Sequence, residues 1–174
     1  MDFLFVGNRL SLDFLNTRPV IDGEPVELLP DEAALQRWLR AAGLPPAPVA
    51  PEPLLEFREH WRAAVLGVEA GKPPSQAFLA RLNTLLRERP GIDEVIRTGG
   101  ALARQRHYPD AFGAIAADAA DLLTAADPAR LRKCDNCVLH FLDTSKKGTR
   151  RWCSMSICGN RLKVAAYTRR QKSV

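Results

Sequence analysis

Cys134-Asp135-Asn136-Cys137, fifteen residues, then Cys153-Ser154-Met155-Ser156-Ile157-Cys158-Gly159-Asn160-Arg161 is the stretch on which the reading of this chain turns, since it holds every cysteine of the protein. A CxxC pair is the tightest common spacing at which one turn of backbone presents two thiolates to the same metal. Cys134 and Cys137 supply such a pair. Cys153 and Cys158 stand four residues apart, so their connecting chain must loop more widely before the second sulfur returns. Four thiolates held tetrahedrally around Zn²⁺ at about 2.3 Å leave no open position for water, which is the structural rather than the catalytic arrangement. An iron–sulfur cluster is the main alternative for the same ligands, with a redox disulfide pair behind it. His140 is expected on a strand surface, outside the coordination sphere. A module this small has little core of its own, so the metal supplies folding free energy on the order of 10 kcal/mol.

Outward from the cysteines, Leu131–Lys133 and Val138–Asp143 read as short strands, Ser145–Gly148 as a turn, and Gly159 to about Gln171 as a helix. Knuckle, hairpin and helix in that order make a treble-clef-like module. Lys146, Lys147, Arg150 and Arg151 form a basic hairpin. On the helix Lys163, Tyr167 and Arg170 share one face and Arg161 another, while Arg169 lies along the side with Leu162, Ala165 and Ala166. From Arg130 onward the chain has twelve Lys and Arg against two Asp and Glu, whereas the rest has thirteen against eighteen. That asymmetry points the C-terminal module at a polyanion.

The 174 residues suit one ordinary domain, or a modest domain with a small stapled appendage. With 46% apolar and 26% charged residues the composition is that of a folded protein. No secretory leader is readable at Met1–Arg9, no apolar run is long enough to span a membrane, and clustered thiols suit a reducing compartment. The cytoplasm is the expected location. Helices are expected at Asp31–Gly43, Leu54–Glu69, from Ser75 until Pro90-Gly91 closes it, and at Asp110–Ala125, each from an apolar stripe at three-and-four spacing, with Asp31 and Ser75 as caps. Ile92–Arg97 and Ala101–His107 read as a hairpin, a second turn falls at Asp22-Gly23, and the proline-rich stretch from Leu44 to Pro53 is a connector. Arg9–Thr17 reads as a short helix, with Asp13 and Asn16 making local hydrogen bonds at its end. His60 and His107 are structural. The whole is a mainly α fold: residues 1–127 a multihelical domain with a small β-hairpin, residues 128–174 the zinc module.

Cys134-x2-Cys137-x15-Cys153-x4-Cys158-Gly159-Asn160-Arg161 resembles the CGNR zinc finger. In bacterial proteins that finger follows an N-terminal ABATE domain, described as a stress-induced transcription regulator, and Leu12-Asp13-Phe14-Leu15-Asn16-Thr17 is similar to that domain's opening motif. The resemblance implies zinc and DNA binding. On that basis the basic residues of the hairpin and helix mostly contact phosphates, and Arg161, Lys163 or Tyr167 reach base edges. The acidic helical domain then senses a small ligand or dimerises, with Arg9, Asp13 and Asn16 as the candidate polar pocket. No catalytic motif is present, so enzymatic activity is not expected. The competing reading is a structural or protein-interacting module, its cations docked on the acidic domain. RNA is a further partner, with Tyr167 and Trp152 as stacking residues, although Trp152 is read first as core.

Overall fold

A computed structural model describes residues 3–21, 23–45 and 51–159. The fold is mainly α, with small antiparallel strand pairs and the four cysteines gathered at the C-terminal end of the described chain. In order the elements are α1 (Leu10–Leu15), β1 (Val20–Ile21), β2 (Glu24–Pro25), α2 (Glu32–Ala41), α3 (Pro51–Glu69), α4 (Gln76–Glu88), β3 (Ile92–Thr98), β4 (Ala101–His107), α5 (Ala111–Ala125), β5 (Leu131–Lys133) and β6 (His140–Leu142).

The helix ends follow from their caps. Asp31, Ser75 and Asp110 each sit in extended backbone and accept a hydrogen bond from the amide three residues on, satisfying a donor the helix leaves open. Gly43, at φ 70°, ends α2, and the Leu44 amide returns to the Leu39 carbonyl. One boundary differs from the sequence reading, for α3 begins at Pro51 inside the proline-rich segment. A first helical turn needs no N–H partners, so Pro51 and Pro53 are tolerated there.

α1 is the keystone. Its six residues are too few to hold a helix alone, and Leu12, Phe14 and Leu15 are fully buried among Trp38, Phe57 and Trp61. Other elements complete its ends. The Ser11 amide donates to the Asp118 carboxylate of α5 at 2.7 Å, the Trp61 indole of α3 donates to the Ser11 carbonyl at 3.1 Å, and Arg62 donates to the Leu15 carbonyl at 2.8 Å. Arg58, only 2% exposed, donates to Thr17 Oγ1 and makes a two-pronged pair with Glu27. Sequence periodicity had no means of showing that this arginine lies inward, because its partners are 31 and 41 residues away.

The strand pairs sit outside the helical core. β3 and β4 form a ribbon in register from Ile92↔His107 to Thr98↔Ala101, turned by Gly99 and Gly100 at positive φ. β5 and β6 pair from Leu131↔Leu142 to Lys133↔His140 and begin the cysteine module.

Candidate metal centre and the surfaces around it

Three chain segments bring the sulfurs together. β5 delivers Cys134, the Cys134 amide closes onto the Leu139 carbonyl at 2.8 Å, and the turn between them carries Cys137. Val138 adopts φ 54° to complete that turn, a left-handed conformation that costs a β-branched residue about 1–2 kcal/mol. Cys153 follows the basic hairpin, and Cys158 lies on a single wide helical turn, Met155–Gly159, which accommodates the four-residue spacing. The four sulfurs all lie within 4.8 Å of one another, with Cys137 to Cys153 at 3.5 Å and Cys153 to Cys158 at 3.6 Å. A tetrahedral Zn²⁺ with bonds of about 2.3 Å separates its sulfurs by about 3.8 Å, so the donor set fits that ion.

The ionisation of the sulfurs agrees. The hydrogen bond from the Cys153 thiol pushes Cys137 down to about 5, and the same bond, with burial, pushes Cys153 up; burial also raises Cys158. By themselves these groups favour a single thiolate, and a central dication is what lets all four deprotonate. Asn136 Nδ2 donates to Cys158 Sγ at 3.5 Å, an outer-shell contact of the kind that orients metal ligands. Beyond the cysteines the module's core is little more than Phe141, with Val6, Trp152 and Ile157 against it. The centre is a structural Zn²⁺ site, and it holds together a fold that lacks the apolar mass to do so.

The module is joined to the helices through the free edge of β6. Asn16 acts there as a surrogate strand: its Nδ2 donates to the His140 carbonyl at 2.8 Å and its Oδ1 accepts from the His140 amide at 2.9 Å. Two residues along, the Leu142 amide donates to the Gly7 carbonyl and Asn8 Nδ2 donates to the Leu142 carbonyl, each at 2.8 Å. The exposed edge is thereby covered, which also blocks pairing with other chains. Two expectations are corrected. Asn16 is bonded across 124 residues of sequence instead of locally, and His140 is buried, its Nδ1 2.9 Å from the Glu69 carboxylate at the end of α3. Asn16 was expected to bond within its own helix end and His140 to lie on a strand surface; the β6 edge partners the first, and the packing of α3 on the module covers the second.

Arg9, Asp13 and Asn16 each have partners within the fold. Arg9 is paired with Asp118 at 3.0 Å, and Asp13 accepts from the Gly7 amide at 2.7 Å, holding the N-terminal strap against α1. Burial raises Asp13 to about 6 against the pull of its backbone hydrogen bonds from Gly7 and Val6, with the Asp118 charge adding to the rise. A cavity of about 420 Å³ lies elsewhere, where α3 ends and α5 gives way to the module, lined chiefly by Val68, Pro74, Leu79, Leu122, Pro128 and Leu131. His60 and His107 lie on the surface, His107 paired with Glu94 at 3.2 Å.

The cations of the module divide into two groups. Arg130 and Arg132 donate to main-chain carbonyls of the hairpin loop, at Asp143, Ser145 and Gly148. Arg150 is likewise used internally: its guanidinium bonds the Trp152 and Cys153 carbonyls and lies 4.8 Å above the Phe141 ring. Asp143, fully buried, accepts from the Ser145 and Arg150 amides at 2.8 Å; burial works to raise it, yet these bonds and the Arg132 charge hold it at about 2. Lys133, Lys146, Lys147 and Arg151 are exposed, Arg151 resting on the Trp152 ring and paired with Asp135 at 2.7 Å. Arg132, Lys133, Arg150 and Arg151 line a shallow cleft of about 270 Å³ together with two acids, Glu69 of α3 and Asp135. Among the described residues, no Lys or Arg of the module pairs with an acid of the helical region; its ion pairs are internal, and docking is carried by Asn16, His140, Glu69, Gly7 and Asn8. Arg161, Lys163, Tyr167, Arg169 and Arg170, with the helix expected to carry them, lie outside the described residues. Among those described, no helix is long and apolar enough to cross a membrane.

Comparison with known families agrees with this architecture. Residues 130–171 match the CGNR zinc finger, and residues 8–126 match the ABATE family, described as "Putative stress-induced transcription regulator". No curated protein matches the chain. The match to the helical region covers more than half of the chain, and the module carries all four cysteines; the chain belongs to the ABATE family and bears a CGNR zinc finger behind its ABATE region.

Proposed function

We propose that this protein is a zinc-dependent DNA-binding regulator whose C-terminal module contacts the duplex while the helical region receives the signal. The observation that carries the reading is the set of exposed cations on the module, Lys133, Lys146, Lys147 and Arg151, on a loop that Arg132 and Arg150 brace through main-chain carbonyls. Cations so placed suit phosphate oxygens. Arg150 and Arg132 are positioning residues in this account, fixing the loop, and Lys133, Lys146, Lys147 and Arg151 make the phosphate contacts. Arg161, Lys163, Tyr167, Arg169 and Arg170, in the sequence that follows, are the further contacts this reading assigns to DNA. The zinc centre orders that surface and does no chemistry, so the protein binds and does not catalyse.

A module whose cations were neutralised by docking on the acidic helices would favour a purely structural finger. The internal character of the described ion pairs weighs against that alternative. The signal enters best at the apolar cavity of about 420 Å³, because Pro128 and Leu131 form both its wall and the start of the module. In vitro selection of duplex DNA with the zinc-loaded chain, run beside Cys153→Ser, tests the proposal. A sequence enriched by the wild type and lost in the variant supports it; no enrichment, or equal enrichment by both, rejects it.

A further inference from the structure

The β3–β4 ribbon is a structural element that the helical core does not use. Six of the seven residues of β3 and all seven of β4 are exposed, and Ile92, Val95 and Leu102 stand 71%, 69% and 74% open to solvent. A lone two-stranded hairpin is marginal in water, and each edge offers a row of unpaired N–H and C=O groups.

The two edges differ in what they would accept. β4 carries Arg104 and Arg106 and no acid; paired antiparallel with its own copy about its midpoint, it would set Arg104 against Arg104. β3, Ile92-Asp93-Glu94-Val95-Ile96-Arg97-Thr98, is self-complementary about its midpoint. With Val95 on a two-fold axis, antiparallel pairing sets Asp93 opposite Arg97 of the second copy, Arg97 opposite its Asp93, and Val95 against its Val95. Moving the axis to Glu94 or Ile96 breaks both charge pairs, and at Glu94 it opposes two carboxylates.

The backbone fits the same register. Hydrogen-bonded pairs alternate along a hairpin, and with the two-residue turn closed at Thr98 and Ala101 the outward amides of β3 belong to Asp93, Val95 and Arg97. Those three residues are the ones this register pairs with one another. Among the described residues Arg97 has no ion pair within its own chain. Asp93 is bonded to Arg106 at 2.6 and 2.8 Å and lies 3.7 Å from Arg104 in its own hairpin; a carboxylate has about four lone-pair sites, so it has acceptor capacity for a further cation.

We infer that the outer edge of β3 is a self-association surface and that its occupant is a second copy of this chain, giving a four-stranded sheet ordered β4-β3-β3-β4. The inference stands whether or not the zinc module binds DNA. A two-fold pair of modules would suit repeated half-sites.

Sedimentation velocity on the zinc-loaded full chain tests it. One strand pair is a small interface, so the wild type is expected to pass from the 19.3 kDa chain mass to twice that value across the micromolar range. Val95→Lys places two ammonium groups on the axis and Arg97→Asp opposes two carboxylates twice; each should weaken association about tenfold or more. Leu102→Thr, on the other strand, should leave it unchanged. All three positions are exposed, and far-UV circular dichroism checks that each variant is folded. A wild type still monomeric at about 100 μM overturns the inference, as does a dimer that survives Val95→Lys and Arg97→Asp or is lost equally in Leu102→Thr.

Discussion

Replacing Asn16 with alanine isolates the joint between the helical region and the zinc module. The amide of Asn16 is 5% exposed and bonds both backbone groups of His140, itself 4% exposed, at 2.8 and 2.9 Å. Truncation leaves a buried N–H and a buried C=O without partners. At about 1–3 kcal/mol for each stranded group, less what water recovers by entering the space, the loss should be about 2–4 kcal/mol. In a chain of this size that lowers the melting temperature by about 5–15 °C. Urea unfolding of the zinc-loaded protein measures the free energy, and hydrogen exchange at the His140 amide locates it. Asn16→Asp separates hydrogen bonding from packing, since it preserves shape but turns an anionic oxygen toward the His140 carbonyl; it should cost at least as much as alanine. A variant pair within about 0.5 kcal/mol of wild type, with His140 exchange unchanged, would refute the claim that this side chain holds the module.

Removing zinc with a chelator should unravel the β5–β6 module and shift Trp152 emission while most helical circular dichroism persists, because the module contributes only Leu131 and Leu142 to the helical core; retention of the Trp152 signal, or collapse of the whole chain, contradicts this. Asp13→Asn should change how stability depends on pH. The folded protein holds the Asp13 proton up to about 6, above its unfolded value, so this group's contribution is fully present below about pH 4 and is lost as pH rises through 6. Relative to wild type the variant should therefore gain about 1 kcal/mol between pH 5 and pH 7.5, and an unchanging difference across that range would show that Asp13 is not protonated in the fold.

The helices and the metal ligands were legible because their causes are local. Caps at Asp31, Ser75 and Asp110 lie one turn from the amides they satisfy, and the cysteine spacings encode a sulfur cluster within 25 residues of chain. The joint was not legible. Asn16 and His140 meet only because α1 packs on β6, and nothing in either neighbourhood distinguishes a surrogate strand partner from an ordinary helix-end amide. Arg58 and Arg150 were obscured for the same reason: composition counts an arginine as surface charge, whereas burial beside Glu27, or over Phe141 with two carbonyls in reach, makes it scaffold. The π-type turn that carries Cys158 was foreshadowed by its spacing, which demands a wider loop than the first pair.

The central claim is that an ordered, zinc-held cationic surface binds DNA. Fluorescence anisotropy of the zinc-loaded full chain on a short duplex, titrated across salt concentrations, tests it most directly. Neutralisation of about five phosphates predicts that log K falls with log salt at a slope of about −4 to −5. Replacing Lys146, Lys147 and Arg151 together with alanine should flatten the slope by about 2 to 3, and metal-stripped protein should lose the binding. A slope near zero, or one unchanged by the triple replacement and by zinc removal, contradicts the account.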